Sequence, residues 1–198
     1  MSIKQHLLHS MGATEEDYNP GDYIFYENGT PQFYYQIVTG EIKLNNYSSE
    51  GKEFIQNILT CEDAFGESML FTEKPYPMNA IALTPCTIIR VCRTTLFSHL
   101  DANPDIYLEV CKSLSERLYR KFVLMQKISS HNASERLKEI IELMKKEQDN
   151  QAPYSFEVPI TRQQLASLTG LCIETTIRTI KKMEREKILR IHNRKILY

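Results

Sequence analysis

The amino-acid sequence predicts an α+β protein in which a strand-rich stretch comes first and helices follow. Three observations carry that class. Short β-type runs succeed one another at roughly ten-residue spacing from Tyr18 to about Arg93, the pattern of a sandwich or barrel. Apolar residues at helical spacing then begin at Asn103-Pro104. Finally, TRQQLASLTGLCIETTIRTIKKME, from Thr161 to Glu184, reads as two short helices broken at Thr169-Gly170.

The strand runs are YIFYE, FYYQIV, IKLNNY, EFIQNIL and IALTPCTIIRV, punctuated by NGTPQ, TGE and SSEGK. Gly21, Gly29, Gly40, Gly51 and Gly66 fall at or beside these breaks, where a tight turn or positive φ is wanted. From Pro104 onward, Tyr107, Val110 or Cys111, Leu114, Leu118, Phe122, Met125 and Ile128 form one helix face that ends near Ser129-Ser130-His131. Such a stripe suits packing on the β-domain or pairing with a second copy in a dimer. Asn132 or Ser134 can cap the next helix, whose inner side is Leu137, Ile140, Ile141 and Met144. Residues 130 to 133 are therefore the candidate hinge. After the polar KKEQDNQAP, SFEVPI reads as a strand, the helix pair follows, and ILRIH with KILY closes a hairpin around Asn193-Arg194. That order is a winged helix-turn-helix.

Composition is that of a soluble globular chain, 42% hydrophobic and 25% charged. The N-terminus lacks a signal peptide and no apolar run is long enough for a membrane helix, so a cytoplasmic protein without membrane partners is expected. The five cysteines are scattered with no C-x-x-C pair, which argues against a disulfide framework or a metal or iron–sulfur clip. No paired carboxylates, nucleophile–base set or metal-ligand spacing points to an enzyme, and no metal is expected. The net charge of −1 is unevenly divided. Residues 1–131 carry 11 Lys/Arg against 16 Asp/Glu, whereas residues 158–198 carry 9 against 3. A basic C-terminal block is the footprint of a phosphate-binding surface.

Within the helix pair, Leu165, Leu168 and Leu171 should meet Thr176, Ile180 and Met183 in an apolar seam. On the other face of the second helix, Ile173, Glu174, Ile177 and Arg178 point outward together near its N-terminus. Arg178 can donate a bidentate pair to guanine O6 and N7, Glu174 can accept from cytosine N4, and isoleucines suit thymine methyls. Thr175, Arg162 and Arg194 are placed to meet phosphates. The competing reading is an i,i+4 ion pair between Glu174 and Arg178 on a solvated helix.

The order of parts and the motifs NPGDYIFYENG, YYQIVTGEIKL, EGKEFIQNI, DAFGESMLF, NPDI, ITRQQLASLTG, ETTIR and KKMEREKIL resemble the Crp/Fnr family of bacterial transcription regulators over nearly the whole chain. The resemblance implies a cyclic-nucleotide-binding-like β-roll of jelly-roll type over residues 1–103, a dimerisation helix and hinge over 104–131, and a winged helix-turn-helix domain over 132–198. It further implies a homodimer paired through Leu114, Leu118, Phe122 and Met125, double-stranded DNA with a palindromic site, and RNA polymerase as a partner. Glu174 and Arg178 match the family's base-reading pair, and Thr175 a phosphate-contacting position. Ile173 stands where cyclic-AMP-responsive members have a base-reading Arg. His192 and Arg194 fall on wing positions near phosphate, and Cys172 replaces a Ser or Thr there.

For the sensor, the resemblance places Gly66, Glu67, Ser68, Tyr76, Met78, Asn79, Arg117, Lys121 and Phe122 around an effector pocket. The Arg-Ser pair that holds a cyclic phosphate is absent from the corresponding Lys74–Asn79 stretch, KPYPMN, and Lys121-Phe122 replaces Thr-Ser. A buried phosphate without its cation is costly, which argues against cyclic AMP. No cysteine precedes Cys61 to hold an iron–sulfur cluster; His6, His9 and His99 leave haem ligation open, and no basic neighbour activates Cys61 or Cys86 for redox sensing. The N-terminus is short, with about a dozen residues before the first strand pattern, where many members carry an additional helix. The expected function is thus a DNA-binding regulator controlled by an unidentified small-molecule effector, which acts by a population shift through the long helix and the hinge near His131. The alternatives are a cyclic-nucleotide-responsive regulator, or a small-molecule-binding module whose winged helix contacts protein.

Overall fold

A computed structural model describes residues 3–128, 132–146 and 148–198. Two compact units divide the chain, one ending at Leu118 and the other beginning at Tyr119. The first opens with α1 (Gln5–Ser10), β1 (Thr14–Tyr18), β2 (Tyr23–Phe25), β3 (Phe33–Thr39), β4 (Ile42–Tyr47) and β5 (Glu53–Leu59). It continues through β6 (Ala64–Phe65), α2 (Glu67–Thr72), β7 (Asn79–Ala82), β8 (Cys86–Cys92) and α3 (Arg93–Ala102) into α4 (Pro104–Ile128). The strands form two antiparallel four-stranded sheets, β1-β8-β3-β6 and β2-β7-β4-β5, the arrangement of a β-roll.

Strand alternation sorts the side chains of the first sheet onto two faces. Tyr35 and Ile37 on β3, Phe65 on β6 and Ile88 on β8 join Phe25, Ile42, Leu59, Tyr76 and Met78 in the interior of the roll. Their neighbours Tyr34, Ala64, Ile89 and Val91 face the other way, where Ile3, Leu8, Leu70, Leu96 and Leu100 cover them. Ile106, Tyr107 and Val110 bring the first turns of α4 onto that second cluster. Each fully buried Leu, Ile or Phe here contributes about 1.5–3 kcal/mol. The expected stripe on α4 thus divides. Its early members pack on the roll, while Leu118, Phe122 and Met125 are 53%, 60% and 64% exposed.

Several elements depart from the sequence expectation. Helix α1 does precede the strands, but its single buried residue, Leu8, gives no helical periodicity. Strand β1 carries TEEDY, whose acidic residues hide it from an apolar alternation search; it is held as an edge strand by β8, with Arg90 paired to Glu16 at 2.5 Å. IALTPCTIIRV is two strands, because Pro85 interrupts it and β7 and β8 join different sheets. Helices α2 and α3 occupy stretches to which the sequence assigns no element, and α3 precedes the Asn103-Pro104 boundary.

The second unit holds the rest of α4, then α5 (Ala133–Lys145), α6 (Arg162–Thr169), α7 (Ile173–Arg185), β9 (Arg190–His192) and β10 (Lys195–Leu197). Asn132 caps α5 by accepting from the Ser134 backbone N–H at 2.9 Å. The hinge expected at 130–133 falls partly outside the described residues, as do the helix end at Ser129-Ser130 and the pivot at His131. SFEVPI shrinks to one bridge between Glu157 and Leu197, flanked by backbone bonds of Phe156 to Tyr198 and of Val158 to Ile196. The polar stretch after α5 is not simply solvated. Lys145 is buried, and its ammonium donates to the carbonyls of Ala152 at 2.7 Å and Tyr198 at 2.9 Å.

Candidate nucleic-acid interface and sensor

Thr161 and Gln164 start α6 with a capping box, in which the Thr161 hydroxyl accepts from the Gln164 N–H and the Gln164 side chain accepts from the Thr161 N–H. Gly170 ends it at φ 70°, a left-handed conformation that costs a glycine little. Leu165, Ile180 and Met183 are fully buried with Leu137, Ile141 and Leu189, and Leu171 packs at the edge; Leu168, expected in the same seam, is buried but outside this cluster. Thr176 and Thr179 tolerate burial because their hydroxyls donate back to the carbonyls of Cys172 and Thr175 at 3.1 and 2.7 Å. One side of α7 is therefore fixed in the core.

The opposite side is open. Glu174 and Arg178 are exposed, Ile177 is 37% exposed, and Ile173 is half-buried. Glu174 and Arg178 form no ion pair, and neither is bonded to another group among the described residues. At the start of α7 the Cys172 thiol donates to the Thr175 hydroxyl at 3.0 Å, so these two side chains serve each other. In the wing, Asn193 and Arg194 both adopt positive φ, 47° and 66°, as a two-residue type I′-like hairpin turn demands. The Arg162 guanidinium donates to the Arg194 carbonyl at 3.2 Å, tying the start of α6 to the wing tip. His192 is exposed next to them, its Nε2 3.2 Å from the Asn193 amide nitrogen.

The expected sensor residues do not converge. Glu67 and Arg117 meet as an ion pair on the helix-facing side of the first sheet, with Glu67 only 5% exposed. Tyr76 and Met78 instead belong to the interior of the roll. There the Tyr76 ring stacks on Phe25 at 3.7 Å and the Tyr35 ring on Phe65 at 5.3 Å. These rings crowd Gly66, where a Cβ would approach Phe25 to 3.2 Å and Tyr76 to 3.3 Å. Asn79 is buried and receives the Glu27 N–H at 2.9 Å, a structural bond at the start of β7. Ser68, Lys121 and Phe122 are exposed.

Of the residues with unusual polar environments, Cys92 is missed by the sequence, whereas Glu67 and Tyr76 are named by it without their burial. The Tyr76 hydroxyl and the Glu67 Oε2 atom are buried without a hydrogen-bond partner among the described residues, and the burial raises the Tyr76 pKa. Cys92, at the N-terminus of α3, has its thiol pKa lowered, first by its hydrogen bond with the Thr94 side chain and then by backbone N–H groups. Cys86 is buried, and the exposed Cys61 donates to the Val38 carbonyl at 2.9 Å. Among the described residues no group of His, Cys, Asp and Glu is placed to hold a metal, and no helix is long and apolar enough to cross a membrane.

Residues 15–103 match the cyclic nucleotide-binding domain family, and residues 135–198 match the Crp-like helix-turn-helix domain family. The chain belongs to the Crp/Fnr family. It is a DNA-binding transcription regulator of the Crp/Fnr type. The cAMP-activated global transcriptional regulator CRP of Pasteurella multocida is 26% identical over 165 residues, covering 82% of this chain and 79% of that protein. The nitrogen fixation regulation protein FixK of Azorhizobium caulinodans is 25% identical over 166 residues, covering 82% and 66%. In fold, the chain matches the c-di-GMP responsive global regulator CLP of Xanthomonas campestris at a TM-score of 0.80, with 17% identity and coverage of 98% and 96%.

Proposed function

We propose that this Crp/Fnr regulator works in the cytoplasm as a homodimer that sets two α7 helices into successive major grooves of a palindromic site. Glu174 and Arg178 read base edges, and Ile173 and Ile177 meet thymine methyl groups. Arg162, Thr175, His192 and Arg194 lie along phosphates, with Cys172 beside them donating to the Thr175 hydroxyl. The observation that carries this reading is the pairing of a buried α7 face with an opposite face whose Glu174 and Arg178 have no partner among the described residues. A surface ion pair would have engaged them with each other. The exposed Leu118, Phe122 and Met125 on α4 supply the dimer seam. RNA polymerase is the expected protein partner, and no catalytic step is assigned to the chain.

Control by cyclic AMP, named for the Pasteurella relative, does not carry over in this reading. The Lys74–Asn79 stretch offers a cyclic phosphate no Arg, and its Tyr76 fills the roll interior. The test is to select duplexes from a random pool with the full-length protein. The selected sequences should share an inverted repeat, with half-site centres about 10 base pairs apart. Combined Glu174→Ala and Arg178→Ala should abolish that preference while the protein still sediments as a dimer. Selection of no repeat, or a sequence preference unchanged in the double variant, would refute the reading.

A further inference from the structure

We propose that Cys111 is a redox-active position at which two copies of the chain become joined by a disulfide, so that oxidation locks the dimer. The inference rests on the reading of the chain as a homodimer on a palindromic site. Helix α4 carries apolar side chains on two sides. Ile106, Tyr107 and Val110 pack on the roll, and Leu114 is half-buried on the same side. Leu108, Cys111, Ser115, Leu118, Phe122 and Met125 are exposed instead, and their spacing alternates between three and four residues. That is the a/d seam of a coiled coil, with Cys111 at a d position. The seam holds no charge, whereas Lys112, Glu116 and Arg120 stand outside it.

Two copies that read one palindrome set their helix-turn-helix units on the same face of the duplex, so their α4 helices run parallel. In a parallel two-fold pair each seam residue meets its own counterpart, and Cys111 faces Cys111 of the partner subunit. Helix axes pack about 8–10 Å apart, with Cα atoms about 2.3 Å off each axis, so facing Cα atoms come near the roughly 4.4–6.8 Å that a disulfide spans. Ser115, one turn on, is small and lets the axes approach at this level. The thiol is also uncommitted. Of the four exposed cysteines, Cys61 donates to the Val38 carbonyl, Cys92 is bonded to the Thr94 hydroxyl and Cys172 to the Thr175 hydroxyl; Cys111 alone has no hydrogen-bond partner among the described residues. A small disulfide such as oxidised glutathione serves as the oxidant. One Cys111 thiolate attacks it and releases a small thiolate; the thiolate of Cys111 of the partner subunit then attacks that mixed disulfide at the protein sulfur and releases the second. Two protein thiols are oxidised to one disulfide, the reagent is reduced to two thiols, and the protons pass to the released thiolates. Disulfides in a reducing compartment are transient and redox-sensing, which makes this bond a switch: it holds the dimer together at concentrations where the reduced pair dissociates.

The test treats the full-length protein with oxidised glutathione or with dithiothreitol and separates the products on a denaturing gel without reductant. The oxidised protein should run as a covalent dimer, with peptide mass mapping joining Cys111 to Cys111, and dithiothreitol should return it to single chains. Cys111→Ser should abolish the cross-link, while Cys61→Ser and Cys92→Ser keep it. Within a preformed dimer the rate should hold over about a ten-fold dilution of protein, whereas chance collision would slow it about ten-fold. Ser115→Cys added to Cys111→Ser should restore the cross-link and Glu116→Cys should not, which reads the register of the seam. Below the concentration at which the reduced dimer dissociates, oxidised protein should still bind the selected duplex and reduced protein should not. A cross-link that survives Cys111→Ser, a rate that follows protein concentration, or restoration by Glu116→Cys in place of Ser115→Cys overturns the proposal. So does a reduced protein that sediments as a dimer yet forms no cross-link, which leaves the DNA reading standing; a reduced protein that sediments as a monomer overturns both.

Discussion

The helix-turn-helix and the β-roll treat their polar groups in opposite ways. On α7, Glu174 and Arg178 stand at the surface with no partner among the described residues, on a helix anchored by its other side. In the roll, Glu67 is buried against Arg117, Asn79 is bonded to the Glu27 backbone, and aromatic rings close over Gly66. One unit holds its chemistry outward on a rigid support, and the other has turned the corresponding positions into its own core. Polar groups left unsatisfied at a surface cost nothing, because water serves them, so they can be kept ready for a ligand. Unsatisfied groups in an interior are costly, so an interior that has no phosphate to bind is better filled. The outward groups of α7 are therefore available as they stand, whereas Tyr76 and Met78 are taken up by packing.

The largest expected effect tests whether the two ends are separable. Ile180→Ala removes a fully buried side chain from the core of the second unit and should cost about 2–5 kcal/mol there. The roll has cores of its own, so calorimetry should show the transition of the second unit falling while that of the first stays in place. A common shift of both would mean that the units unfold as one. Next in size, Arg178→Ala should lose about 1–3 kcal/mol, or about 5- to 150-fold, on the selected duplex and relax specificity at one base pair of each half-site. Competition binding against duplexes substituted one base pair at a time would check this; a uniform loss at every position would assign Arg178 to phosphate instead.

A smaller effect is expected at the wing. Arg194→Ala should weaken binding evenly across sequences and reduce the salt slope of log K by about 1 for each phosphate that the guanidinium neutralises. Fluorescence anisotropy at several salt concentrations measures it, and an unchanged slope would remove Arg194 from the interface. Its carbonyl already fixes the wing to Arg162, an arrangement that the substitution leaves intact.

What can be read from the sequence follows the same division. The helix pair is legible because its information is local: 3.6-residue spacing separates Leu165, Ile180 and Met183 from Glu174 and Arg178, and Thr161 with Gln164 writes the capping box three residues apart. The roll is legible as alternation and turns, but not in the strands that break those rules. TEEDY is a strand only because β8 lies beside it, and ESMLFT is a helix too short to show a period. The sensor is least legible. Glu67 meets Arg117 across fifty positions of chain, and Tyr76 meets Phe25 across a similar span, so neither partnership leaves a spacing to read. Tyr76 stands between Pro75 and Pro77, where neither alternation nor helical period marks a residue as buried, and it is core.

The smallest expected effect concerns that tyrosine. Its hydroxyl is buried without a partner, so Tyr76→Phe removes a group that is desolvated on folding and regains nothing. The ring, its stacking on Phe25 and its volume all remain. Stability should therefore stay the same or rise by up to about 1 kcal/mol, read as the midpoint of urea unfolding at unchanged slope. Tyr76→Ala, by contrast, opens the interior and should cost about 3–5 kcal/mol, as other large-to-small changes of buried aromatics do. If Tyr76→Phe instead lost more than about 1 kcal/mol, the hydroxyl would have a partner in solution. The interior would then have to be counted again as a ligand site, and the contrast between an outward-facing reader and a self-filled sensor would no longer hold.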